Sequence, residues 1–140
     1  MMKPSSFRFK DPVLTDLHFE LNEHFSPEFP KPKVISSTTN VSVRKLTDSN
    51  HSAIVSLKID LPAEKSNAFP FSISATMSAQ FDWDDGLSDE TIKQLLTKNA
   101  PALLLGYLRP WIANVTEAGP TSAIHIPFMD FTQEDSDKKS

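Results

Sequence analysis

The chain has 140 residues, a formal net charge of -4 and no cysteine. The missing thiols exclude a disulfide framework, thiolate zinc sites and a cysteine nucleophile. An acidic balance without a long Lys/Arg run argues against binding to a phosphate backbone.

One domain over residues 1–140 is expected, large enough to bury about two-thirds of its unfolded surface. Its ends, about 1–8 and 132–140, are expected to fray. The first ten residues carry positive charge with no apolar run behind it, so they do not read as a signal peptide. The stretch Pro101 to Ile112 is too short and interrupted to cross a bilayer. The expectation is a cytoplasmic protein without membrane insertion, in which the sequons at Asn40, Asn50 and Asn114 are chance matches.

From Val13 to Leu21 the chain alternates, with Leu17, Phe19 and Leu21 on one face and Asp16, His18 and Glu20 on the other. That period of two predicts a half-buried strand. Pro27, Pro30 and Pro32 then space out an extended or looped connection, because proline cannot donate to a ladder. A β-branched run, Val34 to Leu46, predicts the second strand. After the turn residues Asp48 to Asn50, a third strand alternates through Ala53, Val55, Leu57, Ile59 and Leu61. The fourth, Phe69 to Trp83, is apolar at every odd position and Ser, Thr, Gln or Asp at the even ones from Ser72 to Asp82. Its polar face is small and mostly uncharged, a surface suited to accepting another sheet or strand.

Ser88, followed by Asp89 and Glu90, predicts a helix start. Ile92, Leu95, Leu96, Leu103, Leu104, Tyr107, Leu108, Trp111, Ile112 and Val115 continue at helical spacing. Pro101 and Pro110 inside that pattern predict a kinked or two-piece helix, and Gly119-Pro120 ends it. The fold class is therefore α+β: a four-stranded antiparallel sheet covered by a long proline-interrupted C-terminal helix.

Few residues carry chemistry. His18, His24, His51 and His125 share no metal-ligand spacing. Asp82, Asp84 and Asp85 ahead of Gly86 resemble a calcium loop, yet the glycine comes one residue early and no bidentate glutamate falls in register. A solvated acidic turn is the expectation, with no metal and no cofactor. No nucleophile elbow or phosphate-cradling loop occurs, so no enzyme is expected. Phe71, Phe81, Trp83, Tyr107 and Trp111 lie on apolar faces and are assigned to the core. Phe25 and Phe29, in the proline-spaced loop, either tuck over the sheet edge or form a patch that faces a partner.

Several stretches resemble the SecB protein-export chaperones. Asp16-Leu-His-Phe-Glu20 is similar to that family's first-strand motif, and Phe25 and Phe29 fall where it has loop aromatics. The run from Ala100 through Tyr107 and Arg109 to Ile112 resembles its Pro-x-x-Leu-Phe-x-Tyr-x-Arg helix, and Ile126 to Phe131 its proline-containing segment. The resemblance implies a homotetramer, a dimer of dimers, that holds unfolded polypeptides and hands them to the SecA translocase motor. It implies client binding at Phe25 and Phe29 and translocase binding at Asp16 and Glu20. The family's acidic residue in the last strand is matched here by Ser72, which weakens the implied export coupling. An oligomeric adaptor of the same fold and a binder of small apolar ligands are the alternatives.

Overall fold

The computed structural model describes residues 6–23, 37–47, 50–62 and 70–118. Its axis is β5 (Phe71–Trp83), thirteen residues long and antiparallel to every neighbour. On one edge lies β4 (Ser52–Leu61), with β3 (Thr38–Lys45) outside it. Two strands share the other edge: β1 (Phe7–Phe9) opposite Trp83 to Phe81, and β2 (Val13–Leu21) opposite Ser78 to Phe71. The alternation in the sequence predicts four strands and five are present. The extra one falls in the end expected to fray, too short to show a period, and is held by Phe7 stacking on Phe81 at 5.4 Å.

The period of two becomes a physical partition here. Odd residues of β4 and β5, among them Val55, Leu57, Ile59, Ile73, Ala75, Met77 and Phe81, are buried under the helix. Even residues form the opposite face, and the register sets Ser56 against Ser78 and Asp60 against Ser74. β2 breaks the alternation once. Leu14 pairs with Met77 and Asp16 with Thr76, so Thr15 is the extra residue of a bulge. The bulge keeps Leu14 on the apolar face while shifting the later apolar positions to odd numbers. Thr15 Oγ1 donates to the Thr76 carbonyl at 3.3 Å and lies 3.4 Å from Ser78 Oγ.

The helical half is one path with a widened turn. Ser88 caps α1 (Asp89–Gln94), its hydroxyl oxygen accepting from the Thr91 amide at 3.1 Å. A π-helical turn (Leu95–Asn99) leads into α2 (Ala100–Glu117), where the Ala100 amide reaches back to the Leu95 carbonyl. Pro101 follows at once and has no amide to donate. Widening the turn just ahead of it lets the chain continue instead of breaking. Leu104, Leu108 and Ile112 are fully buried on β4 and β5, each contributing about 1.5–3 kcal/mol by leaving water. Thr116 is buried too, and its hydroxyl is satisfied by the Ile112 carbonyl at 2.8 Å. Among the described residues, no helix is long and apolar enough to cross a membrane.

Candidate binding surfaces

The helix side of the sheet is only partly covered. Among the described residues, helix α2 packs chiefly on β4 and β5 and the π-helical turn reaches β3, while Phe9, Leu17 and Leu21 on the opposite edge stay exposed. Tyr107 and Trp111 are 45% and 47% exposed, which corrects their assignment to the core. At 100° per residue the apolar positions of α2 span an arc of about 220°. The sheet covers about 120° of it, from Leu104 through Leu108, Ile112 and Leu105 to Thr116. Leu103, Tyr107 and Trp111 occupy the remainder. Periodicity locates an apolar stripe but not which part of it a sheet covers; the excess width was the readable signal.

Phe9 extends this shelf onto the sheet. Its ring meets Tyr107 edge-on at 6.2 Å and Phe81 at 6.1 Å, yet it stays 41% exposed. Leu17 and Leu21 face the same side, opposite Ala75 and Phe71, and are exposed as well. From the level of Phe81 to that of Phe71 this apolar row runs along β5 for about 33 Å. Tyr107 and Trp111 stand beside it, on the helix.

The opposite face is polar and separates its charges. Asp16, His18 and Glu20 on β2 share it, as the alternation predicts, facing Thr76, Ser74 and Ser72. His18 Nε2 lies 3.4 Å from Glu20 Oε2. Glu20, His18, Asp60 and Ser72 line a shallow depression of about 340 Å³ there. Phe25 and Phe29 lie outside the described residues.

At the far end, the carboxylates of the acidic turn diverge to separate partners. Asp82 accepts from Ser52 Oγ at 2.5 Å and Gln80 Nε2 at 2.9 Å, and these hydrogen bonds hold its carboxyl below the usual range. Asp84 meets Arg8 at 2.9 Å, whose hydrogen bond lowers its carboxyl in the same sense. Asp85 pairs with His51 at 2.5 Å. Among the described residues no group of His, Asp or Glu is placed to hold a metal ion.

Among the described residues an antiparallel sheet carries one proline-interrupted helical layer, an α+β architecture that matches SecB-like chaperones. The chain belongs to the SecB family: the model for preprotein translocase subunit SecB matches residues 3–134. Among solved structures it is similar to the Mycobacterium tuberculosis SecB-like chaperone Rv1957, in complex with a ChAD peptide from the Rv1956 HigA1 antitoxin. That match has a TM-score of 0.66 and 12% identity, over 89% of this chain and 88% of that one. A Streptococcus agalactiae protein of unknown function matches with a TM-score of 0.56 and 16% identity, over 87% and 97% of the two chains. No curated protein matches the sequence.

Proposed function

We propose that this chain is a holding chaperone, which keeps unfolded polypeptides from aggregating by covering extended apolar segments. The observation that carries this is the exposed aromatic shelf of Phe9, Tyr107 and Trp111, continued by Leu17 and Leu21 along the open edge. A packed domain has no folding reason to leave such rings half in water, and contiguous apolar surface of this kind marks an interaction site. A row of about 33 Å matches about ten residues of extended chain. The binding needs no nucleotide, no cofactor and no catalytic group. Phe25 and Phe29 are assigned to the same work, adding apolar area from the connection between β2 and β3.

The chaperone acts in the cytoplasm as a homo-oligomer, dimer or tetramer, with its subunits joined through the sheet. Two deliveries of the client are compatible with the family. One is export, in which Asp16 and Glu20 dock the SecA translocase motor; Ser72, opposite Glu20, leaves that acidic surface one charge short. The other is a dedicated client, and the complex of the M. tuberculosis relative with an antitoxin peptide favours it. The test is whether the purified protein suppresses light scattering by a chemically unfolded enzyme on dilution. Suppression near stoichiometric ratio supports holding; undiminished scattering at tenfold excess removes it.

A further inference from the structure

The polar face has a second feature, remote from the acidic depression and on the other side of the sheet from the aromatic shelf. Lys10 donates its backbone amide to the Gln80 carbonyl, Gln80 pairs with Ile54, and Ile54 pairs with Arg44. Lys10, Gln80, Ile54 and Arg44 therefore lie in one row across four adjacent strand positions. The next row is hydroxylated, running from Thr15 through Ser78 and Ser56 to Ser42, with Ser56 and Ser78 joined at 2.7 Å. The two rows line one open depression, whose charged groups are the cations of Lys10 and Arg44 against the single carboxylate of Asp11. Both cations are exposed, and among the described residues neither makes an ion pair. The lining carries one net positive charge on a chain of net charge -4, and the Asp82 carboxylate stands close enough to Lys10 for that cation to help lower it.

The spacing identifies the occupant. Three inter-strand steps separate Lys10 from Arg44, about 14 Å. Two cations are far too few to follow a nucleic-acid backbone. In an extended peptide, residues i and i+4 point the same way and stand about 13–14 Å apart. Residue i+2 then falls midway, between Gln80 and Ile54, and the hydroxyl row offers donors and acceptors to the peptide backbone. We propose that this trough binds an extended acidic peptide segment laid across the strands, with carboxylates four residues apart on Lys10 and Arg44. A second copy of the chain is the weaker fit. Among the described residues the apolar groups lining this trough are Val13, Ile54 and Ala79, too little for the core of a standing dimer.

The test is fluorescence anisotropy with the intact protein and a labelled eight-residue peptide bearing two glutamates four positions apart, leucine midway. Binding is expected at low salt, about tenfold weaker for Lys10→Gln with Arg44→Gln, and absent for Lys10→Glu with Arg44→Glu. A peptide of the same composition with its glutamates adjacent is expected to bind no better than an uncharged one. Retained affinity in the double Gln variant overturns the proposal, and so does equal affinity for the adjacent-glutamate peptide. Sedimentation of the wild type as a dimer that the double variant splits overturns it too, in favour of a second copy. Because Lys10 and Arg44 are not on the aromatic shelf, the comparisons between variants and between peptides do not depend on whether the chaperone reading holds.

Discussion

Replacing Tyr107 and Trp111 with Ser tests whether the exposed rings hold clients or merely belong to the fold. A Tyr or Trp side chain offers about 150–250 Å² to a partner. At 45% and 47% exposure the pair leaves roughly 200 Å² open, worth about 5 kcal/mol if wholly covered. A client covering half of that gains about 2.5 kcal/mol, so the double variant should bind roughly 30- to 100-fold more weakly. Folding loses the edge-on meeting of Tyr107 with Phe9 at 6.2 Å, about 1 kcal/mol, and the packing of the covered half of each ring, so stability is measured beside holding. The assay pairs aggregation suppression with thermal melting, using Leu108→Ala as the contrast. Leu108 is fully buried, and its truncation should cost about 2–5 kcal/mol of stability. If the Tyr107/Trp111 variant melts as far below wild type as Leu108→Ala does, the rings are structural. If it suppresses aggregation at the wild-type ratio, clients bind elsewhere.

The remaining expectations concern other positions. Phe25→Ser with Phe29→Ser should weaken client holding with little change in melting temperature, and equal loss of both would make them core residues. Asp16→Asn with Glu20→Gln should weaken binding to the basic tail of a translocase motor and flatten its salt dependence while client holding survives; no affinity in the wild type would end the export role. Asp82, whose carboxyl is held low by Ser52 and Gln80, binds its proton less readily folded than unfolded. Its stabilisation is therefore full above the ordinary carboxylate range and lost as pH falls through the lowered value. Asp82→Asn should flatten the acid limb of stability against pH, and an unchanged limb would show that the hydrogen bonds do not stabilise the fold.

β4 and β5 were legible because each has one dry and one wet face. Ala53 through Leu61 and Phe71 through Trp83 are buried at the odd positions that alternation picks out. The Ser88 cap was legible because its chemistry is local. Phe7 to Phe9 was not, since three residues cannot display a period and their strand exists only through β5. The bulge at Thr15 hid for a related reason: an extra residue changes which parity faces inward, and only the partner strand shows it. Tyr107 and Trp111 were misread because helical spacing reports apolarity, while burial depends on how far the sheet extends beneath the helix. Asp16 and Glu20 were placed correctly on one face, since that follows from β2 alone.

The two faces of this sheet present different chemistry because the alternation of β4 and β5 leaves no choice in the matter. Apart from Ile54, every neighbour of the apolar residues that β4 and β5 send towards the helix is Ser, Thr, Gln or charged, and a single helical layer covers one face only. The bare face cannot hold a partner by burying apolar area. The selection proposed for it is by charge, at the Asp16–Glu20 end for cations and at the Lys10–Arg44 end for carboxylates. The helix side has the opposite property, with about 33 Å of apolar edge that accepts any extended chain with enough Leu or Phe. On the proposed reading, indiscriminate holding and selective docking fall to opposite surfaces of one five-stranded sheet. A client held on the shelf leaves the charged face free for whatever receives it.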